Sequence, residues 1–356
     1  MKGSSETVHT GRQRNQSMEV CKLLAAGFVV FLHARFPDAV GKLTDCISRC
    51  AVPLFFMISG YFNYGSDSKT VGRRMRHAVS LVLWGSLADI VLGCVLSELS
   101  TGSFLGYFRA ALPEWRVLTG WLLLQAHPFG GHLWYLNALV ICYLFLWGYV
   151  RFREERETDY GGLYTVSFVL FTGLFLIDVV SPVLNDYSYY PLVHTAWFLG
   201  IPMFGAGLFL GEHRERLIRV FGLHDGKLLL IFAAGIGINV LQMDTYGLGI
   251  LPFGCIFAVP ALLLYLAEHP VVWQTEKGKK LAVKCGVWSS WIYILHIQVI
   301  NYYDKLFRPW VAAALGETEP WLRPLIALAA SAAAAVLTEG AVSSLKKLFK
   351  ARKERN

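Results

Sequence analysis

Charged residues are scarce in this sequence. Asp, Glu, Lys and Arg make up 16% of its 356 residues, against about 25% in an ordinary soluble domain, and 55% of the residues are apolar. No polar stretch is long enough for a separate soluble domain, and no internal repeat is visible. The scarcity of charge excludes a soluble globular protein and predicts a single integral membrane domain.

The patterns of metal, disulfide and nucleic-acid sites are also missing. The seven cysteines include no Cys-x-x-Cys pair and lie in apolar stretches, as buried small hydrophobic residues do. No His, Cys and Asp cluster has the spacing of metal ligands, so we expect no metal. The net charge of +8 comes from short loops, without the basic stripe interleaved with aromatics that follows a nucleic acid. Whether Cys46 and Cys50 are bridged stays open.

Apolar segments recur along the whole chain and predict an all-α integral membrane protein with about ten transmembrane helices. We expect a polar N-terminal segment over residues 1–17, a transmembrane domain over 18–345 and a basic cytoplasmic tail over 346–356. The expected spans cover residues 18–36, 47–64, 77–96, 132–150, 163–180, 194–210, 227–242, 246–266, 286–303 and 322–345. A piece over 117–126 is too short to cross a bilayer, which makes it interfacial or re-entrant.

The distribution of basic residues gives the expected orientation. Ten spans place both termini on one side, and that side carries 25 of the 33 lysines and arginines. Because cytoplasmic loops carry an excess of Lys and Arg, both termini are expected to be cytoplasmic and the connector over residues 37–45 to face outward. Lys22 then lies near the inner face, and His33 lies in the outer half of the bilayer.

Two ionisable residues interrupt the first apolar segment, EVCKLLAAGFVVFLH. Lys22 and His33 are separated by about three helical turns, so they share a helix face at an axial distance of roughly 16 Å. Ionisable side chains inside a membrane helix are costly and usually have a partner or a function. A neutral imidazole can take a proton from a hydroxyl. The alternatives are a structural histidine at a helix interface and a lysine that extends to the cytoplasmic interface.

Further motifs follow in chain order: SGYF at 59–62, Arg-x-x-Arg at Arg73 and Arg76, HLWYL at 132–136 and IYILH at 292–296. Together with the first segment, this series resembles the acyltransferase-3 membrane family. The family pattern has an acidic residue, an arginine three positions later, then ten residues and a histidine. Glu19, Lys22 and His33 occupy those positions, with lysine in place of arginine.

The resemblance implies a membrane-bound acyltransferase of the bacterial inner membrane. Such an enzyme moves an acyl group from cytoplasmic acyl-CoA to a hydroxyl of a cell-envelope saccharide or a related acceptor, and acetyl-CoA is the donor that the resemblance favours. His33 is implied to be the general base, or a transient acyl carrier. Arg73 and Arg76 are implied to hold the CoA phosphates, together with Lys22, which also belongs to the catalytic group. The positive-inside rule alone would place arginines in this loop.

Three further residues are candidates for the acceptor side. Arg49, near the outer end of the second span, could hold an acidic acceptor or pair with Glu114. Ser59 is a second candidate, although the Ser59-Gly60 pair also suits close helix packing. Trp134 is the third candidate, and the alternative role for it is that of an aromatic anchor at the membrane interface.

Two histidines in later apolar segments complete the candidate set. His132 lies near the outer face and is a candidate for the acceptor site. His296 lies in the middle of a span with Tyr293 one turn earlier. This spacing predicts a buried polar contact, which is either structural or lines a pocket.

A transporter or binding protein for a small solute such as an amino acid is the main alternative. The same opening resembles the membrane half of membrane-bound serine racemases, thought to deliver an amino acid to a fused racemase domain. No such segment follows the tenth expected span, and no inverted repeat with broken helices is visible, as transport would favour. A non-catalytic scaffold would leave Lys22 and His33 without a role.

Overall fold

The computed structural model describes residues 15–111, 120, 125, 130–156, 159–184, 190–245, 247–249, 251–271 and 273–353. Within these ranges the regular secondary structure is helical and includes no strand, so the prediction of an all-α protein is confirmed. The α-helices are α1 (Gln16–His33), α2 (Asp38–Ser48), α3 (Ala51–Asn63), α4 (Ser68–Thr101), α5 (Gly106–Ala111), α6 (Trp134–Arg156), α7 (Gly161–Leu184), α8 (Tyr190–Val193), α9 (Ile201–Phe221), α10 (Asp225–Thr245), α11 (Cys255–Glu268), α12 (Glu276–Tyr302), α13 (Arg308–Leu315) and α14 (Glu319–Lys353). Short π-helical turns precede α9 and α13, and 3-10 turns precede α6 and α14.

Six helical segments of the described chain are long and apolar enough to cross a membrane: Gln16–His33, Asp38–Asn63, Ser68–Thr101, Gly131–Arg156, Asp225–Thr245 and Glu276–Leu345. Two shorter apolar helices cover Gly161–Ile177 and Cys255–Glu268. These segments support a multi-pass membrane protein, while the count of ten spans and the side of the termini stay predictions. The expected interfacial piece over 117–126 lies almost entirely outside the described residues, as does Glu114.

The first helix begins and ends close to its expected bounds. Asn15 caps α1, because its side chain accepts a hydrogen bond from the Met18 N–H at 3.3 Å. Its amide nitrogen donates to the Leu266 carbonyl at 2.8 Å, which ties the start of α1 to the end of α11. The helix ends at His33. It does not continue to Phe36, because a residue that directly precedes a proline, here Pro37, disfavours the helical conformation.

The connector expected over residues 37–45 is instead helical, whereas its outward orientation stays a prediction. It forms most of α2, and only two residues separate α2 from α3. The helix is amphipathic: Asp45 and Cys46 are buried, whereas Val40 and Leu43 are exposed. An amphipathic helix contains many polar residues, so a search for continuous apolar runs does not detect it. A Cβ at Gly41 would stand 1.9 Å from the Phe36 carbonyl oxygen, so the turn into α2 requires glycine there.

The helices on the predicted cytoplasmic side run further than the expected spans. The basic stretch over 69–76, expected as a loop, forms the first turns of α4, whose 34 residues reach about 51 Å. Asp67 caps this helix by accepting from the Thr70 N–H at 2.9 Å. Hydrogen bonds from Thr70 lower the pKa of the Asp67 carboxyl, so it stays ionised at the helix N-terminus. Likewise α12 starts at Glu276, and α14 continues without a break to Lys353.

Glycine allows two central helices to touch through their backbones. A Cβ at Gly60 of α3 would lie 1.9 Å from the Phe204 carbonyl oxygen of α9, and one at Gly207 would lie 2.0 Å from the Met57 carbonyl oxygen. Small residues at such crossings let membrane helices approach closely. The SGYF motif therefore has the packing role that its glycine predicts.

All seven cysteines are free thiols in the structure. Cys46 lies 3.8 Å from the sulfur of Met243, and Cys50 lies 2.9 Å from the sulfur of Cys255 at the start of α11. Cys46 and Cys50 are therefore not bridged to each other.

Candidate functional site

A cavity of about 1760 Å³ lies between α1, α3, α4, α6, α12 and α14. On α6 its lining reaches from Arg153 to Tyr135, a distance of about 27 Å along the helix axis. On α12 its lining ends at Tyr293. The cavity is therefore long, and it extends from the end of α6 to the aromatic side chains at the start of that helix.

The entrance of the cavity carries charges of both signs. Its basic side chains are Lys22, Arg73, Arg74, His77 and Arg153, and its acidic side chains are Glu19, Asp67, Glu154 and Glu339. Lys22 forms an ion pair with Glu19 at 2.8 Å, and the Glu19 carboxylate is almost completely buried. A buried carboxylate without a partner is costly, so one role of Lys22 is to compensate Glu19.

Arg73 differs from the other basic residues at the entrance. Its side chain is exposed and takes part in no ion pair or hydrogen bond among the described residues. Arg153 instead lies over the ring of Tyr160 at 4.3 Å. Arg76, the second arginine of the Arg-x-x-Arg motif, is exposed and is not one of the described residues that line the cavity. The structure thus leaves Arg73 available for an anionic ligand.

Arg74 is a residue that sequence reasoning missed. Its Nη1 donates to the Phe62 carbonyl at 2.9 Å, to Asn63 Oδ1 at 2.7 Å and to Ser66 Oγ at 3.1 Å. These contacts satisfy polar groups at the C-terminal end of α3 and tie it to α4. The sequence did contain a signal for this role. The last carbonyls of a helix such as α3 need hydrogen-bond donors, and a basic stretch follows a few residues later.

Aromatic side chains form the far end of the cavity. Tyr135 and Tyr293 both line it, with ring centroids 5.2 Å apart, and Phe55 lies beside Tyr135. The Tyr293 hydroxyl donates a hydrogen bond to the carbonyl of His132. Tyr293 therefore touches both the cavity and the histidine cluster beyond it.

The histidine cluster consists of His33, His132 and His296. The ring centroid of His296 lies 5.0 Å from that of His33 and 5.1 Å from that of His132. His296 is fully buried and His132 nearly so, whereas His33 is exposed at the end of α1. The sequence identified all three residues separately, and the structure brings them together.

Backbone carbonyls hold the two buried rings. His296 Nδ1 donates to the Tyr293 carbonyl at 2.7 Å, which is the contact that their spacing predicts. His132 Nε2 donates to the Ile294 carbonyl at 2.9 Å. Because a carbonyl oxygen only accepts, the other nitrogen of each neutral ring is a bare lone pair. Neither His296 Nε2 nor His132 Nδ1 has a hydrogen-bond partner in the described part of the chain.

A second buried polar network, centred on Asp89, lies beside Gly130. The Asp89 carboxylate accepts from Gln298 Nε2 at 2.8 Å and from the Tyr107 hydroxyl at 2.7 Å. Burial, followed by the neighbouring Asp89 charge, raises the pKa of the Tyr107 phenol, so the hydroxyl keeps its proton and donates. A Cβ at Gly130 would approach both this carboxylate and the His132 ring, so the network packs behind the histidine cluster.

Two arginines share one carboxylate near the exposed histidine. Arg49 Nη1 donates to the Gly249 carbonyl at 3.1 Å, and its Nε lies 3.6 Å from Asp45. Arg35 Nη2 lies 3.8 Å from the same carboxylate. Both guanidinium groups are close enough to act electrostatically on His33. The surroundings of His33 therefore carry an excess of positive charge.

The remaining candidates take structural positions. Ser59 lines the cavity, and its hydroxyl donates to the Phe55 carbonyl at 2.8 Å. The Trp134 ring lies 5.0 Å from His194 and 6.4 Å from Phe56, away from the described cavity lining. Across the described ranges, no group of three or more His, Cys, Asp or Glu side chains is arranged to hold a metal ion.

The fold and the site define a multi-pass helical membrane protein with a long cavity that ends beside a histidine cluster. The chain belongs to the acyltransferase-3 family: the model of this acyltransferase domain matches residues 15–340, nearly the whole sequence, and confirms the resemblance. Comparisons with curated proteins and with solved structures give no significant match. Membership in the family supports membrane acyltransferase activity.

Proposed function

We propose that this protein transfers an acyl group, acetyl by family resemblance, from acyl-CoA to a hydroxyl of a cell-envelope saccharide or related acceptor. The observation that carries the proposal is the long cavity between Arg73 and Tyr293. One end offers the Arg73 guanidinium, which is unpaired within the described residues, and the other ends at a tyrosine bonded to the histidine cluster. Such a cavity suits a donor with phosphates at one end and a thioester at the other.

The proposed orientation places the cavity entrance in the cytoplasm of a bacterium and His33 in the outer half of its inner membrane. Ten spans with both termini cytoplasmic follow from the asymmetry of lysines and arginines. The donor is made in the cytoplasm, and the acceptor is part of the envelope. This orientation therefore brings each substrate to the side on which it occurs.

The donor phosphates bind at the entrance. Arg73 supplies a guanidinium that can form paired hydrogen bonds to phosphate. Arg76 lies one helical turn further along α4 and adds positive charge without lining the cavity. Lys22 completes the group as an ammonium whose position is fixed by its ion pair with Glu19.

In the proposed reaction, His33 takes the proton of the acceptor hydroxyl, and the hydroxyl oxygen attacks the thioester carbonyl. The carbon–sulfur bond then breaks, the acyl group stays on the acceptor oxygen, and the CoA sulfur leaves as a thiolate that takes up a proton. His33 suits this role because it is exposed at the end of α1 and its ring makes no hydrogen bond within the described residues.

The acceptor binds around His33. Arg49, with Arg35, gives this region an excess of positive charge, which favours an acceptor with an anionic group. His132 and His296 form the wall behind His33. Trp134 and Ser59 contribute through packing against neighbouring helices rather than by direct contact with the acceptor.

The test is transfer from labelled acetyl-CoA by the purified protein in detergent or vesicles, with a crude envelope saccharide as acceptor. We expect His33→Ala to lower the rate about 10²- to 10⁴-fold, as removal of a general base does, while protein level and CoA affinity persist. His224→Ala is the matched control, because His224 lies before α10 outside the cavity and the cluster. Transfer by His33→Ala at the wild-type rate would refute the role of His33.

The second candidate is a carrier for a small solute such as an amino acid. It is favoured by the same cavity, which leads from one end of the bundle to the Tyr135–Tyr293 pair, as an inward-facing carrier would. Vesicles that take up a labelled amino acid in a His33-dependent way, without any acyl transfer, would decide for the carrier.

A further inference from the structure

The bare nitrogen of His296 has no use in the reaction proposed so far. His296 is fully buried in the C-terminal part of α12, and its Nε2 has no hydrogen-bond partner among the residues that the structure describes. An unpaired buried acceptor destabilises the fold. A catalytic role is one of the reasons for which such a group is retained. The imidazole of His33 is a candidate donor, because its ring centroid lies 5.0 Å from that of His296. The ring of His132 is almost equally close, but its N–H already donates to the Ile294 carbonyl.

The geometry allows that contact. The two ring centroids are 5.0 Å apart, with an angle of 48° between the ring planes. Ring nitrogens lie about 1 Å from their centroid, so a side-chain rotation of His33 can bring one nitrogen of each ring to a hydrogen-bond distance of about 3 Å. His33 is free to rotate, since its ring makes no hydrogen bond within the described ranges. His296 is not, because Tyr293 holds its Nδ1.

We propose that His296 is the positioning residue for His33: its bare Nε2 accepts a hydrogen bond from the His33 imidazole and so fixes the ring that takes the acceptor proton. The inference rests on the acyl transfer proposed above. The N–H of neutral His33 that points to His296 leaves its other nitrogen bare and directed to the acceptor. When that nitrogen takes the proton, the N–H to His296 becomes a charge-assisted hydrogen bond. No proton passes to His296.

This arrangement performs with an imidazole what a buried carboxylate performs in a Ser-His-Asp triad, namely selection of the tautomer and orientation of the base. The carboxylate of Asp45 is already engaged and does not serve as the partner of His33. Arg35 and Arg49 lie nearby, Asp45 is already shared between them, and His132 lies behind His296. His132 in turn keeps its place through Ile294.

The experiment compares His296→Phe with His296→Gln in the acetyl transfer assay. Phe fills the space without an acceptor, whereas the Gln side-chain oxygen can still accept from His33. We expect His296→Phe to lower kcat about 10- to 100-fold with KM for acetyl-CoA unchanged, as loss of a hydrogen bond to a charged group does. His296→Gln should recover most of that loss. Gln298→Leu is the matched control, as a buried polar residue of the same helix that faces Asp89 instead.

A double-mutant cycle separates positioning from general structure. In a His33→Ala background, His296→Phe should cause no further loss beyond about twofold, because its effect acts through His33. A loss that persists in full in that background overturns the inference, and so does an equal loss of kcat in Gln298→Leu. Should His296→Phe fail to fold, His296→Gln decides alone: kcat within about tenfold of wild type supports the inference, and a folded protein as inactive as His33→Ala overturns it. Wild-type transfer by His33→Ala would instead refute the base itself, which is a separate outcome.

Discussion

Glu19 and Lys22 form a 2.8 Å ion pair at the entrance of the cavity, one helical turn apart on α1. The carboxylate is buried while the ammonium is partly exposed, so the lysine supplies a compensating charge to a carboxylate that is shielded from solvent. This relationship explains why the acidic and basic positions of the family pattern are three residues apart, since that spacing places both on one helix face.

The first prediction concerns this pair. Lys22→Met should lower the thermal stability of the protein in detergent, because removal of one partner of a buried pair costs about 3–5 kcal/mol, a figure to be reduced for the exposure of Lys22. The double variant Glu19→Gln/Lys22→Met should be more stable than Lys22→Met, since the buried side chain at position 19 then carries no charge. Equal melting temperatures for the single and double variants would contradict the pairing. Lys22→Arg keeps the pair and the family residue, and it should keep or raise activity.

The second prediction separates the two arginines of the Arg-x-x-Arg motif. Arg73 lines the cavity and Arg76 does not. Arg73→Gln should weaken acyl-CoA binding at least tenfold, as loss of a charge-assisted hydrogen bond of about 1.5–3 kcal/mol requires. Arg76→Gln should have a smaller effect and serves as the control. Binding of a labelled acyl-CoA to purified protein measures both, and a larger effect at Arg76 would refute the assignment.

The third prediction concerns the contact between α3 and α9. Gly60→Ala should prevent accumulation of folded protein or lower its melting temperature strongly, because the added Cβ would meet the Phe204 carbonyl oxygen at 1.9 Å. Gly148→Ala on α6 is the control, since a Cβ there meets nothing within 4 Å. Fluorescence-detected size exclusion in detergent measures the folded fraction. Wild-type stability of Gly60→Ala would show that the helices cross with more space than the structure has.

The fourth prediction is topological. Cysteines introduced at Lys69 and Asp38, in a variant without native cysteines, should react with a membrane-impermeant thiol reagent from opposite sides. Lys69 is expected to be cytoplasmic, and Asp38 to face outward. The measurement is labelling in intact cells and in inverted vesicles. Labelling of both positions from one side would refute the ten-span arrangement.

Much of the helical content followed from local patterns, because apolar runs report burial in a membrane directly. The all-helical class was predictable in this way, and the family was predictable from the series of motifs that resembles it. The helix α2 was not predictable from apolar runs. Its buried side includes the charged residue Asp45, so a count of apolar residues indicates a polar connector instead. The lengths of α4 and α14 were also missed, since helices that leave the bilayer lose the apolar signal without losing their hydrogen bonds.

The site was predictable residue by residue but not as an arrangement. His33, His132 and His296 stand about a hundred or more positions apart, and no local period links them. Their meeting depends on how α1, α6 and α12 pack. The same applies to Arg74, whose partners at the end of α3 are set by the turn between the helices. Contacts between distant segments of a membrane protein cannot be predicted from composition or local periodicity.

On the proposed function, the length of the cavity limits the length of the donor that can react. Arg153 and Tyr135, which both line it, are about 27 Å apart along α6. A donor anchored by its phosphates at the entrance reaches the histidines only if its flexible arm has a matching length. An acyl thioester on a much shorter thiol could not bind its anionic group at the entrance and place its thioester beside the histidines at the same time. The protein would then select donors by the distance between anionic head and thioester, before any contact with the acyl group itself.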